Sequence, residues 1–419
     1  MEDVTIKRVL LKAVVATMII ASLSMVPAWA QQPSQNWTSC NNDGAAVALD
    51  AQIAACTAII ASRGESSKNM AIAFNQRGMA YYKSGDNDRA IADFNQSIKL
   101  SARDAAVFIN LGDAYVAKGD YDAAIPTFNN AIFMNPQLAA AYVGRGDAEL
   151  GKDDYGKASF DYEQAIGIDP KSAAAFVGRA TIEGRKGDYD KAIADFNQAI
   201  TLDPKSVRAL RGRGDIYFFK RDYDRAIADY TQAIGLDPKY SPAIFDRALA
   251  YGRKNDLDNA IADYTAVLQI DPQNGAAYNN RGMLYRRKGD YDRTIADFDA
   301  AIRLNPQDAS AYTNRCWTRV SSGRDLTTAI PDCNESVNRA RDAVAYNNRC
   351  DLYFKLEQFD NAIADCTEAL NLNPKFAGAL YVRGLAKRKK GDPTADADIA
   401  AAKALSASVE AEWASYGIK

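Results

Sequence analysis

Histidine is absent from all 419 residues, and that single absence removes a large share of enzyme chemistry. A Ser-His-Asp triad, a Cys-His nucleophile pair and any imidazole metal site are excluded. Cysteine is scarce, at six residues, and never falls in a Cys-x-x-Cys spacing, so neither a metal nor a cofactor is expected. Neither sign of charge dominates, with 51 basic against 53 acidic side chains. That balance argues against nucleic acid, which calls for a strongly basic face. Long apolar runs are also missing. The main one, Ala13 to Val26, is too short for a comfortable membrane span. Lys7, Arg8 and Lys12 sit before or at its start and Ala28-Trp29-Ala30 follows as an A-x-A site, so residues 1–30 read as a cleavable signal peptide. The mature chain is expected to start at Gln31, in the periplasm or outside the cell, with no stable membrane insertion.

What the chain has in quantity is one phrase. Residues 275–308, GAAYNNRGMLYRRKGDYDRTIADFDAAIRLNPQD, recur in register from 71, 105, 139, 173, 207, 241, 309 and 343, and in degenerate form from 377. Counting its positions 1 to 34, apolar and small residues fall at 4, 8 and 11 and again at 20, 21, 24, 27 and 28. These are two helical faces at i, i+3, i+4, i+7 spacing. Gly at 15 ends the first helix, Asp at 16 and 18 suits the start of the second, and Pro at 32 stops it. One helix pair cannot bury both faces, so each must stack on its neighbours.

Tyr278, Gly282, Tyr285, Gly289, Phe298, Ala301 and Pro306 make the phrase resemble the tetratricopeptide repeat, with Thr294 where its siblings carry Ala. The resemblance implies an all-α fold: an α-solenoid, a right-handed superhelix of about ten helix-turn-helix units with capping helices. Its parts are expected as a linker and half-repeat cap over 31–70, ten repeats over 71–405 and a polar closing helix over 406–419. The cap run resembles a second helix that lacks its first.

The six cysteines fall into neighbours: Cys40 with Cys56, Cys316 with Cys333, and Cys350 with Cys366. In the ninth repeat they occupy positions 8 and 24, facing sites of one helix pair. In an oxidising compartment they read as disulfides, each closing a loop for about 3 kcal/mol. Buried free thiols are the alternative.

Arg at position 7 and Asp at position 23 recur through the array where the family usually has Leu at 7. They read as a structural ladder of ion pairs rather than a binding rail. The search for a catalytic motif ends empty. Gly146 to Lys152 has the outline of a phosphate loop, but Asp153 stands where Ser or Thr is needed and no strand precedes it.

Function is therefore expected on the inner face, which the family builds from positions 2, 5, 6, 9, 12 and 13 of the first helix. Position 6 is Asn110, Asn280, Asn314 and Asn348 in repeats two and seven to nine. This is similar to the asparagine ladder with which some family members hold the backbone of an extended peptide, since an amide both donates and accepts. Gly144, Gly178 and Gly212 interrupt it and are expected to widen the groove. Phe219, Phe245 and Trp317, with Phe218 and Phe354, are candidate pocket walls. The lysine and asparagine pattern by which co-chaperone members clamp a terminal carboxylate is missing. The resemblance thus implies a non-catalytic scaffold for a protein or peptide partner. The alternative is an accessory factor of envelope or polysaccharide assembly that binds a glycan or a membrane complex.

Overall fold

The computed structural model describes residues 35–42, 47–62, 64–101 and 103–419; the expected signal peptide lies outside them. Among the described residues there are 23 helices and no strand, an all-α solenoid architecture. None of these helices is long and apolar enough to cross a membrane. The chain forms two compact units that divide between Lys191 and Ala192. In each, helix pairs follow the 34-residue register. First helices of neighbouring repeats touch, as Ala105–Lys118 touches Ala139–Gly151 and Ala309–Ser322 touches Ala343–Lys355, whereas second helices do not approach one another comparably. The first helices therefore line the inner side of each stack.

Local chemistry sets the helix ends. Asp86, Asp120, Asp154, Asp222, Asp256 and Asp290, all at position 16, each accept the backbone N–H three residues on. Such an N-cap contributes about 1 kcal/mol. Position 15 of the repeat must turn the chain in the left-handed region. Gly85, Gly119, Gly187, Gly289, Gly323 and Gly391 do so at no steric cost, but Asp153, Arg221, Asn255 and Glu357 hold the same position with φ of 60°, 62°, 64° and 55°.

Within a repeat the two helices close on a small-to-large lock. A Cβ placed on Gly78 would lie 2.7 Å from the ring of Phe94, and one on Gly112 or Gly214 would meet Phe128 or Tyr230 at 2.6 Å and 2.7 Å. Positions 8 and 24 thus share one volume. In the eighth and ninth repeats both positions are cysteine, and the disulfides Cys316–Cys333 and Cys350–Cys366 fill it instead. Thr294, the departure at position 20, is fully buried and donates its hydroxyl to the Asp290 carbonyl at 2.7 Å.

The amino-terminal cap corrects the expectation of a linker and a lone second helix. Gln35–Asn41 is itself a helix, and Cys40 within it bonds Cys56 on the helix Leu49–Ala61. Seven residues are too few to hold a helix alone. The disulfide holds it, with Gln52 Nε2 donating to the Cys40 carbonyl at 2.9 Å and the Trp37 indole donating to Glu65 at 2.9 Å. All six cysteines are bridged as the sequence pairing anticipated.

The left-handed turns yield a test. Left-handed backbone costs a side-chain-bearing residue about 1 to 2 kcal/mol, so Arg221→Gly and Glu357→Gly are each expected to raise stability by about 1 kcal/mol after the entropy glycine adds to the unfolded chain. Urea unfolding followed by circular dichroism reads this. A lowered midpoint in both variants would contradict the assignment.

Candidate functional site

The recurring charges separate first, because they prove structural. Arg145 Nε and Nη2 donate to the two oxygens of Asp161 at 2.8 and 2.6 Å, while Nη1 reaches back to Asn129 of the preceding repeat at 2.6 Å. Arg213 repeats this with Asp229 and Asn197, Arg247 with Asp263 and Thr231, and Arg281 with Asp297 and Thr265. Each guanidinium spends its fork on packing. The basic residues at position 14 are also engaged: Lys118, Lys152, Lys254, Lys288 and Lys390 each pair with the position-18 Asp of the repeat before.

The inner face then shows an arrangement of its own. Position 5 of one repeat bonds position 6 of the next. Asn110 Nδ2 donates to Asn75 Oδ1 at 3.0 Å, and Asn314 Nδ2 donates to Asn279 Oδ1 at 3.1 Å. In repeats five and six the same rung is an ion pair, Arg211 Nε to Asp246 Oδ2 at 2.6 Å. Asn280 instead donates to the hydroxyl of Tyr264 at 3.2 Å. The amides are therefore cross-braced, and each of these three retains one further N–H and a carbonyl for a ligand.

Two expectations need correction. The glycines at position 6 do not widen the groove: a Cβ on Gly144 would stand 2.3 Å from Phe128, on Gly178 2.2 Å from Tyr162, and on Gly212 2.5 Å from Phe196. The ring at position 24 of the preceding repeat fills the space that glycine leaves. Nor does Asn348 face solvent, since it is only 5% exposed.

Asn348 is buried where the end of the chain lies on the inner face. After Ala395–Leu405 the helix Val409–Ser415 sets the Trp413 indole N–H 3.3 Å from Asp351 Oδ1, and the Trp413 ring occupies the space over Gly378. Tyr416 meets Trp317 edge-on at 4.9 Å, and Ile418 is fully buried. The closing segment thus keeps Glu410 and Glu412 outward and inserts the apolar side chains of Trp413 and Ile418 into repeats eight to ten. Trp317 is a wall of the insert's seat. Burial pushes the Asp351 carboxyl up to about 8, against the opposing pull of Trp413, Lys355 and Asn347.

The other aromatic candidates divide. Phe245 packs edge-on against Tyr264 at 5.3 Å, and Phe354 is buried beside Phe359. Phe219 is 63% exposed and stands edge-on to Phe218 at 6.2 Å. Those two phenylalanines and Leu249 wall a cavity of about 320 Å³ whose polar groups are Arg211, Asp215, Asp246 and the Tyr230 hydroxyl. Tyr230 donates to Asp215 Oδ1 at 2.8 Å. Burial, reinforced by Asp246, lifts the Asp215 carboxyl to about 6. In the other unit Asp113, at the same position 9, is lifted to about 7 by burial and by Asp147. Sequence reading passed over Arg211, Asp215, Asp246 and Asp351 because it looked for amides at position 6. Charges at 5, 6 and 9 were the available signal.

Comparison with known proteins agrees with this architecture. A family model described as tetratricopeptide repeat matches residues 75–129, 109–173, 177–241 and 245–309, and a second of the same description matches 343–376. Among solved structures the chain is similar to YrrB, described as a TPR protein with an unusual peptide-binding site: 22% identity, covering 44% of this chain and 95% of that one, TM-score 0.37. It is also similar to pilF of Pseudomonas aeruginosa (18% identity, 49% and 94% covered, TM-score 0.44) and to a tetratricopeptide repeat protein of Parabacteroides merdae (19%, 60% and 99%, TM-score 0.43). No curated protein matches it.

Asp351 gives the carboxy-terminal insert a pH dependence. Burial holds that carboxyl at about 8, above its ordinary value of 3.8. The covered state thus holds the proton more tightly, so docking is strongest in acid and weakens as pH rises toward 8, by about tenfold per unit. Fluorescence of Trp317 and Trp413 is expected to shift to the red as pH rises from about 4 to 8. Asp351→Asn should flatten that shift, and a shift that persists unchanged in it would remove Asp351 as the cause.

Proposed function

Because the chain belongs to the tetratricopeptide repeat family, we propose that it is a non-catalytic interaction scaffold of the periplasm that holds an extended segment of a partner protein on the inner face of its first helices. The observation that carries this reading is the insert. Residues 413–418 already lie on that face through an indole hydrogen bond, an edge-on aromatic contact and a buried Ile418. A face that accepts a segment of its own chain has the chemistry to accept one from elsewhere. Repeats five to seven present the same kind of surface: the braced amide of Asn280, the exposed ring of Phe219, and the cavity beside it. Asn314 carries the amide pattern into repeat eight. Asn110 does the same in the other unit. An oxidising compartment fits the three disulfides, and residues 1–30 supply the signal that would take the chain there.

A photo-crosslinking residue in place of Met283, which is 37% exposed at position 9 of the inner face, is expected to trap a partner in the periplasm. The same residue in place of Leu372, 54% exposed on a second helix, is expected to trap none. Replacing Asn280 and Asn314 by Ala should weaken the Met283 adduct several-fold with helical content unchanged, since each lost hydrogen bond is worth about 0.5 to 1.5 kcal/mol. Adducts from position 372 alone would place the interaction on the outer face and overturn the reading.

A further inference from the structure

We propose that the cavity between repeats five and six is a subsite for one basic side chain, lysine or arginine, of an extended partner segment; this rests on the scaffold reading above. Arg211 is held by Asp246 at 2.6 Å and stands 4.0 Å from Asp215 Oδ2, beyond a hydrogen bond. One guanidinium therefore faces two carboxylates, and the cavity keeps one negative charge in excess. Asp215 Oδ1 already accepts the Tyr230 hydroxyl, which leaves Oδ2 as the acceptor without a close donor.

The walls agree with a cation. Phe218, Phe219 and Leu249 supply its apolar lining. An aromatic face attracts an ammonium or a guanidinium, and the long aliphatic stem of either side chain suits the apolar remainder. A volume of about 320 Å³ admits one such side chain and not a folded surface.

The insert provides the precedent inside the same molecule. Asp351 and Asp215 occupy the same position 9, in repeats nine and five. Besides Asn347 of its own helix, Asp351 has a donor, the Trp413 indole, from a segment lying on the inner face. Asp215 sits in the matching place with the cavity open over it. There the raised affinity of Asp215 for its proton, which comes from burial and from Asp246, is what a cation from a partner would relieve. The rung beneath is the charged version of the Asn75 to Asn110 and Asn279 to Asn314 braces. The ion pair of Arg211 and Asp246 is accordingly not required by the repeat, which closes the same rung elsewhere with amides, whereas Asp215 also holds the position-24 tyrosine as Asp147 holds Tyr162.

The test uses the mature chain and two fluorescein-labelled peptides, Ala-Gly-Ala-Arg-Ala-Gly-Ala and its counterpart with Glu for Arg, followed by anisotropy at low ionic strength. The arginine peptide is expected to bind at least fivefold more tightly. Asp215→Asn, which can keep the Tyr230 hydrogen bond, should abolish the preference with the circular dichroism spectrum unchanged. Phe219→Ala, at an exposed site that does not threaten folding, should weaken the arginine peptide about threefold and leave the glutamate peptide unchanged. Equal affinity for the two peptides, preference for glutamate at Arg211, or an undiminished preference in both variants would overturn the subsite while leaving the scaffold intact. No binding of either peptide together with a silent crosslinker at position 283 would overturn both.

Discussion

The three-way grip of the position-7 arginine, a residue present in every repeat but the second, where Leu111 stands, is the contact that sets one repeat on the next. Each guanidinium donates twice to the Asp on the second helix of its own repeat and once to position 25 of the repeat before, so one side chain ties three helices. The Asp partners are almost fully buried, with Asp161 at 2% and Asp297 at 5% exposure. A carboxylate removed from water in this way is tolerable only while its fork is filled, and losing the partner of a buried pair costs about 3 to 5 kcal/mol. The usual Leu of the family would pack that seam without such directionality. A fork that must meet three groups at once fixes the register of helix on helix.

A second constraint follows from volume. The ring at position 24 must fit against position 8 of its own repeat and position 6 of the next, and glycine is what several repeats place there: Gly112 and Gly144 both close on Phe128, and Gly146 and Gly178 both close on Tyr162. Where the ring is lost, the chain substitutes covalent bonds. The bridges at Cys316 and Cys350 stand in the eighth and ninth repeats, the ones on which the carboxy-terminal insert is seated. The bridge at Cys40 holds a first helix of only seven residues. Each closes a short loop, worth about 3 kcal/mol in the chain-entropy account. The bridges thus lie where helix packing alone is weakest or where the inner face carries an extra load.

Much of this was legible in the sequence because it is local and periodic. Arg281 and Asp297 lie sixteen residues apart, as do Arg145 and Asp161, and a fixed spacing repeated along the array exposes a pair. The cysteine pairs follow the same logic, with separations of 16 and 17. Less legible was whatever joins one repeat to another through a single position. The role of Gly144 depends on a ring in the repeat before it, so an isolated reading takes it for empty space. The seat of Trp413 on Asp351 spans 62 residues and has no periodic partner to announce it. Nothing in a stretch such as SVEAEWASYGIK distinguishes a lid from an insert until the aromatic groups are seen against Trp317 and Gly378.

The arginine grip carries much of the seam between one repeat and the next, and Arg247 tests that role. Native-state hydrogen exchange on an Arg247→Ala variant, in which Asp263 and Thr231 both lose their donor, reads the stability of each helix separately. The expected result is a loss of protection in Tyr223–Leu236, Ser241–Arg253 and Leu257–Ile270, the three helices the side chain ties, with Ala377–Lys389 unchanged. Unchanged protection in those three helices, or an equal loss in every helix of the array, would contradict the grip as the contact that holds one repeat to the next.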